Sequence, residues 1–201
     1  MTSQVTSPSG RVLQLRGQRR TTPQADTQAK EVRAKMDQES RLAKCREDLK
    51  NINVQAFLKA IADAEGGEYN FLFGAIKGRR NDRWRFSDFS THPGPGADGV
   101  TTAAGMYQIN KRTWGDHGTR RMGLMDFTPE TQDLIAVSML NGLGVADTIK
   151  RGDIEAALGP ASRLWAALPQ GRGMSGRHNG QPSVTFDRFS AAYKNAGGTT
   201  K

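Results

Sequence analysis

A change in apolar patterning near residue 53 constrains this chain more than any other feature. From there onward, large apolar residues recur at helical spacing, as they do in helices that bury one face in a core. The first such positions are Phe57, Leu58 and Ile61, and the later stretches are 130–148, 153–168 and 184–196. Strand signals are confined to 68–110, where aromatic and Thr-rich pieces alternate with Gly/Pro loops. The pattern predicts an α+β fold that is mainly α, with a small β-hairpin region.

The first fifty residues lack this pattern. Residues 1–22 hold four arginines and no acidic residue, and their few large apolar groups are too few to bury a core. A Thr-Pro pair then predicts a helix start at Pro23, and the composition favours a helix to about Leu49. We therefore expect three parts: an extended basic arm over 1–22, a helical linker or docking helix over 23–50, and a packed domain over 51–201.

The net charge of +9 predicts a polyanionic partner or environment, for which nucleic acid, anionic membrane and bacterial cell wall are the candidates. Residues 1–50 carry +5 of this charge. No apolar run is long enough to cross a membrane, and no export signal is visible at the start. The single cysteine, Cys45, excludes an internal disulfide, and one cysteine with three histidines makes no zinc cluster. We expect no metal and no cofactor.

Glu65 is the strongest candidate for a catalytic group. It falls within the apolar stripe defined by Phe57 and Ile61, where a leucine is the usual residue, and two glycines follow it at once. Burial and the negative end of the helix dipole would both raise its pKa, as a general acid requires near neutral pH. The alternative is that the helix frays before Glu65 and its side chain is solvated.

A second candidate is the segment TTAAGMYQIN, residues 101–110. Its small residues permit a close approach of the backbone, and they lead to the pair Tyr107 and Gln108. Tyr and Gln side chains suit contact with sugars, through ring stacking and through hydrogen bonds to hydroxyl groups. Core packing of the tyrosine is the simpler alternative.

Taken in order, several segments together resemble the lambda-type endolysin family over roughly residues 52–198. They are the Glu-Gly pair at 65–66, FSDFSTHP at 86–93, AAGMYQIN at 103–110, Trp114, DFTPETQD at 126–133, RGDI at 151–154, LWAALP at 164–169 and NAGG at 195–198. The ordered set is far more specific than any one segment.

The resemblance implies a lysozyme-like domain over 51–201, with a helical body and a small β-region flanking a cleft. It implies cleavage of the MurNAc–GlcNAc β-1,4 bond of peptidoglycan by a lytic transglycosylase, whose catalytic glutamate matches Glu65. In that reaction the C6 hydroxyl of the sugar attacks its own anomeric carbon and leaves a 1,6-anhydro end. An intramolecular nucleophile removes the need for the second carboxylate that hydrolases use.

Three further side chains are candidates for substrate binding. Asp88 could be the second carboxylate of a hydrolase, whereas the resemblance makes it a structural or substrate-positioning group. His92 could contact substrate, although hydrogen-bonded loop histidines are more common. Trp84 lies among four arginines and reads as a surface group that could stack on a sugar. Trp165 lies in an Ala/Leu-rich stretch, and we expect it to pack in the core.

The N-terminal fifty residues bear on the biological role. They have no counterpart in the lambda enzyme, and a basic arm of this kind suits attachment to an assembly, such as phage tail or other virion proteins. We therefore expect a virion enzyme that opens the cell wall from the periplasmic side. The alternatives are a holin-released endolysin that accumulates in the host cytoplasm, and a catalytically inactive basic virion protein. Because Glu65 and the Tyr107–Gln108 pair are present, we favour an enzyme and expect no nucleic-acid partner.

Overall fold

The computed structural model describes residues 5–6, 12–13, 23–178 and 180–201. The chain forms two compact units, Met1–Lys35 and Met36–Lys201. In the first unit, strand β1 (Val5–Thr6) pairs antiparallel with strand β2 (Val12–Leu13), and Val5 lies opposite Leu13. The rest of the predicted basic arm lies outside the described residues.

Helix α1 (Pro23–Leu49) begins and ends where the sequence predicts. The elements that follow are α2 (Ile52–Glu65), α3 (Lys111–Thr113), a π-helical segment (Trp114–Arg120), α4 (Pro129–Gly142), α5 (Ala146–Lys150), α6 (Ile154–Ala161) and α7 (Phe186–Asn195). Residues 36–49 of α1 belong to the same compact unit as all of these later helices. Among the described residues, no helix is both long and apolar enough to span a bilayer.

Two of the predicted helical stretches are shorter in the structure. The stretch 130–148 divides into α4 and α5 at Gly144, whose φ of 72° is left-handed and ends the first helix. The stretch 153–168 is helical only to Ala161. Pro160 lacks the N–H that would continue the helical ladder, and residues 162–168 form turns.

The predicted β-region consists of isolated antiparallel bridges rather than continuous strands. Phe71 pairs with Arg85, and Ala104 pairs with both Leu72 and Ile109. The Gly/Pro-rich loops between these positions leave too few consecutive residues for a longer ladder. The fold is nevertheless mainly α with a small β-region, as predicted.

The core lies between α2, α4 and α7. Phe57 and Ile61 of α2 are fully buried, and the Phe57 ring meets Phe189 of α7 edge-on, with ring centroids 5.1 Å apart. Trp165 is also buried, as predicted. This packing fixes the helix that carries Glu65.

Candidate active site

Glu65 is the last residue of α2. Gly66 ends the helix in the left-handed conformation, with φ of 69°, and its N–H donates to the carbonyl of Ala62. At the other end, the Asn51 side chain accepts hydrogen bonds from two backbone N–H groups of the first turn. The helix is therefore intact through Glu65, and the alternative in which it frays earlier is wrong.

The Glu65 carboxyl group is half-buried and has one hydrogen-bond donor. Its Oε1 accepts from the backbone N–H of Ala167 at 3.2 Å. Burial raises the pKa of Glu65, this hydrogen bond lowers it in part, and the net shift is upward. Within the described residues, no neighbouring charge is a cause of the shift. Such a carboxyl group holds a proton at a higher pH than an exposed glutamate does.

Gly67 brings a second segment against this helix end. A Cβ at this position would lie 2.5 Å from the carbonyl oxygen of Met106 and 2.7 Å from that of Gly105, so only glycine fits. The approaching segment is a tight turn closed by two backbone hydrogen bonds between Ala104 and Ile109. The turn that contains Tyr107 and Gln108 therefore lies beside the end of α2, as a shared site would require.

Tyr107 does not present its ring to a cleft. The residue is 4 % exposed, and its hydroxyl donates to Asp133 Oδ1 at 2.6 Å. Its carbonyl oxygen accepts from the indole N–H of Trp165 at 3.2 Å. The expectation that Tyr107 stacks on substrate is corrected by this burial, and the alternative of core packing describes its ring.

Gln108 is half-buried and has a positive φ of 48°. Its side-chain N–H donates to the carbonyl of Gly105 at 3.0 Å, so the side chain folds over its own turn. The structure thus keeps Gln108 at the surface of this turn and moves its neighbour Tyr107 into the core.

His92 is likewise a buried structural group. Its Nδ1 accepts from the N–H of Gly94 at 3.1 Å, which leaves Nε2 to donate to the carbonyl of Ile109 at 3.0 Å. Burial lowers the pKa of His92, so the ring is held neutral. With 4 % exposure and both nitrogens bonded to backbone, His92 positions its loop, and the expectation of direct substrate contact is corrected.

Asp88 and Trp84 lie on the exterior of the β-region. Asp88 is exposed, and hydrogen bonds from Ser90 hold its pKa below the ordinary value. Trp84 is half-buried, with the Arg83 guanidinium 4.8 Å from its ring centroid. Among the described residues, no hydrogen bond joins either side chain to the Glu65 carboxyl group, which accepts from the Ala167 N–H.

Two adjacent polar residues of α4 were not predicted as part of the site. Gln132 is fully buried, and its side chain accepts from the N–H of Met106 and donates to the carbonyls of Tyr69 and Phe127, each at 2.9 Å. Asp133 accepts from the hydroxyls of Tyr69, at 3.0 Å, and Tyr107. Together they tie the turn beside Glu65 to the core. The available signal was a Gln-Asp pair directly before the apolar run Leu134–Val137 of the same helix.

Ala167 was also missed, since it acts through its backbone, which carries no side-chain signal. It lies in the segment between α6 and α7, where its carbonyl accepts from the N–H of Val184. Within residues 23–178 and 180–201, no group of His, Cys, Asp or Glu side chains is arranged to hold a metal ion.

Comparison with known proteins identifies the family of this domain. The family model described as Endolysin matches residues 55–200. The endolysin of Escherichia phage lambda is 36% identical over 157 residues, which cover 73% of this chain and 92% of the relative. The chain belongs to the endolysin family.

Other relatives agree with this assignment. The endolysin of Escherichia phage P2 is 29% identical over 164 residues, covering 73% of this chain and 93% of the relative. The bacteriophage lambda lysozyme solved in complex with a chitohexasaccharide superposes with a TM-score of 0.62 at 32% identity, covering 75% of this chain and 97% of that one. A second lambda lysozyme structure gives a TM-score of 0.59 at 30% identity, with the same coverage. The endolysin-family domain therefore has a lysozyme-like fold, as the sequence predicted.

Proposed function

We propose that this protein is a lytic transglycosylase that cleaves the MurNAc–GlcNAc β-1,4 bond of peptidoglycan, with Glu65 as its acid and base. Membership of the endolysin family makes it a lysozyme-like, peptidoglycan-degrading enzyme. The observation that carries the finer proposal is the setting of Glu65, a half-buried carboxyl group with a raised pKa. In the described part of the chain it has one backbone donor, and no charged group shifts its pKa.

The proposed reaction proceeds without added water. Protonated Glu65 donates its proton to the glycosidic oxygen as the bond from C1 of MurNAc to that oxygen breaks. The C6 hydroxyl oxygen of the same MurNAc bonds to C1, and the Glu65 carboxylate takes the hydroxyl proton. The products are a 1,6-anhydro end and a free C4 hydroxyl on GlcNAc, and the enzyme regains its proton.

A solitary carboxyl group suits this route better than hydrolysis. Retaining and inverting glycosidases place a second carboxylate roughly 5–10 Å from the acid. Burial is the cause that raises the pKa of Glu65, and no ionised carboxylate contributes to the shift among the described residues. Asp88, the hydrolase candidate of the sequence analysis, has its carboxylate engaged by Ser90.

The Ala167 N–H gives Glu65 a defined orientation throughout the cycle. It bonds one carboxyl oxygen, Oε1, and leaves the second to exchange protons with substrate. A neutral backbone donor stabilises the carboxylate after proton donation less than a cation would, so the proton is readily regained.

Substrate binding is proposed for the surface around this carboxyl group. Gln108 is half-buried in the turn beside the end of α2, and we propose that it acts on sugar hydroxyls. Trp84 and Asp88 are proposed to contact more distant parts of the glycan strand. Tyr107 and His92 act as positioning residues for this turn and its loop. The complex of the lambda lysozyme with a chitohexasaccharide supports a glycan ligand.

Muropeptide analysis tests the proposal. Purified peptidoglycan is digested with the wild type and with Glu65→Gln, which keeps an acceptor for the Ala167 N–H but cannot donate a proton. We expect anhydro ends from the wild type and at least about a 100-fold lower rate from the variant. Gln55→Glu on the same helix is the control for a charge change, and it should retain activity. Reducing ends would contradict the transglycosylase route, and full activity of Glu65→Gln would contradict its acid/base role.

For the biological role, we propose attachment to a phage particle through residues 1–50, with action on the wall from the periplasm. The family match begins only at residue 55, so residues 1–50 precede the matched region, and residues 1–35 form a compact unit of their own. Mass spectrometry of purified particles should detect the protein, and deletion of residues 1–35 should remove it from particles while the purified variant still cleaves peptidoglycan. Recovery only from the cytoplasm of infected cells would favour the holin-released alternative.

A further inference from the structure

A pocket of about 320 Å³ opens on the face of the domain where α1, the end of the π-helical segment and α4 meet. Three cationic side chains line it: Arg41 and Lys44 from α1 and Arg121 from the segment after the π-helical turns. Ser138 and Asn141 of α4 supply polar groups. In the described part of the chain, no Asp or Glu lines this pocket.

Its positive charge is only partly neutralised. Lys44 makes an ion pair with the buried carboxylate of Asp48 at 2.8 Å. Arg41 and Arg121 are exposed, and neither has an ion pair among the described residues. Two guanidinium groups that converge on one concave surface without a counter-charge attract an anion.

Ser138 of the pocket lining is in contact with a histidine of the π-helical segment. His117 Nδ1 lies 3.0 Å from the Ser138 Oγ. Burial lowers the pKa of His117, the charge of Arg121 lowers it further, and the charge of Asp116 opposes this in part. Gly142 lies beside Arg121 and His117, and the absence of a side chain at Gly142 keeps the pocket open.

We propose that this pocket binds the phosphate group of a small molecule or of a lipid headgroup, held by Arg41, Lys44 and Arg121. Guanidinium groups bind phosphate oxygens in pairs, and a phosphate supplies enough acceptors for several donors at once. Arg41 and Lys44 precede the family match at residue 55. The site therefore depends on the added helix, and it does not depend on the role of Glu65.

Calorimetric titration of the full chain with pyrophosphate tests the proposal. We expect binding to the wild type and to Glu65→Gln alike, and binding weakened about tenfold or more in Arg41→Gln/Arg121→Gln. The matched control is Arg151→Gln/Arg163→Gln, which removes the same charge from exposed positions outside the pocket and should change affinity by less than about twofold.

A second variant separates the pocket from general electrostatics. Gly142→Ala keeps every charge, and its Cβ would lie in ordinary contact with Arg121, 3.6 Å from Nη1. The methyl group occupies pocket space, so pyrophosphate should bind more weakly to a protein with unchanged thermal stability. Binding that is insensitive to Gly142→Ala and to the arginine pair would overturn the proposal.

Vesicles distinguish the two sources of phosphate. If the ligand is a lipid headgroup, phosphatidylglycerol vesicles should retain the wild type, release it on addition of pyrophosphate, and fail to retain the arginine variant. If the ligand is a soluble phosphate compound, pyrophosphate should bind while retention on vesicles is equal for wild type and variant. The absence of pyrophosphate binding together with equal vesicle retention overturns both forms.

Discussion

Helices α1 and α2 each carry a carboxyl group near the C-terminal end, Asp48 and Glu65. Asp48 is buried and Glu65 is half-buried, and their pKa values shift in opposite directions. Burial raises the pKa of both, because a low dielectric disfavours the charged form. For Asp48, hydrogen bonds from three side chains outweigh burial and lower its pKa; the donors are Lys150, Lys44 and Asn141. Among the described groups, the Ala167 N–H is the one donor to Glu65, so the pKa of Glu65 stays raised.

The difference shows that partners, rather than burial, decide what a carboxyl group does here. Asp48 is 3 % exposed and serves as the anionic centre that joins α1 to α5 through Lys150. Glu65 is less buried, yet it is the group prepared to carry a proton. A cation beside Glu65 would have made it another structural ion pair.

Removal of the Asp48 charge is expected to have the largest effect on stability. Among the residues that the structure describes, Asp48→Asn leaves the Lys44 ammonium group without a counter-ion and the Lys150 ammonium group with Asp147 alone. It should lower the free energy of unfolding by about 3 kcal/mol, less than for a wholly buried pair because both lysines reach solvent. Urea denaturation measures this. The control Asp63→Asn breaks an exposed pair with Arg188 and should cost under about 1 kcal/mol. Equal losses of unfolding free energy in Asp48→Asn and Asp63→Asn would contradict a larger contribution from the Asp48 ion pairs.

Asp133 is intermediate between Asp48 and Glu65 in the donors that its carboxyl group has. Its donors are side chains, as for Asp48, but they are neutral hydroxyls. Burial raises its pKa, and the bonds from Tyr107 and Tyr69 only partly offset this. Tyr107→Phe should therefore raise the pKa of Asp133 further and lower the free energy of unfolding by about 2 kcal/mol, as for a hydrogen bond to a charged group.

Carbon-13 NMR of the Asp133 carboxyl group and urea denaturation follow these two effects. Tyr193→Phe removes a comparable hydroxyl whose acceptor is the neutral carbonyl of Thr199, and should cost about 1 kcal/mol. An Asp133 pKa that is unchanged in Tyr107→Phe would be inconsistent with the hydrogen-bonded cluster.

The smallest expected effect has the opposite sign. Because the folded-state pKa of Glu65 is raised, its contribution to stability is fully present below the unfolded pKa and is lost as pH rises through the folded pKa. Glu65→Gln, which has no charge to bury, should match the wild type in acid and become slightly more stable than it near neutral pH.

Asp48→Asn should show the reverse trend. The lowered pKa of Asp48 stabilises the fold above the unfolded pKa, and this contribution disappears as pH falls through the folded pKa. Its deficit should thus be largest near neutral pH and shrink in acid. Calorimetric melting over about pH 3–8 measures the stability of both variants relative to the wild type. The same pH trend in Glu65→Gln and Asp48→Asn would contradict the opposite pKa shifts.

Much of the helical body was predictable because helix signals are local. Thr128 caps α4 by accepting from the N–H of Thr131, and Pro129 follows at the first turn, so the signal for this helix start lies in adjacent residues. The apolar spacing of α2 placed Glu65 on its apolar stripe. The stretch 130–148 was predicted as one helix, and the structure divides it at Gly144.

Loop residues were harder to interpret, because their burial depends on distant partners. Tyrosine is a residue type that suits sugar binding, yet Tyr107 is buried in the core, where it is hydrogen-bonded to Asp133 and Trp165. Histidine is a residue type that can act as an acid or a base, yet both ring nitrogens of His92 are hydrogen-bonded to backbone groups. No short-range pattern encodes either pairing.

The sequence alone determined that Glu65 lies on the apolar stripe of α2, since side-chain spacing within a helix is set by neighbours in the chain. The structure decided that the helix continues through Glu65. Only the tertiary structure decided that Glu65 meets a backbone N–H from Ala167, 102 residues away, while Asp48 meets the Lys150 ammonium. A pKa responds to charges and donors in space, so the chemistry of each carboxyl group was settled by packing rather than by position in the sequence.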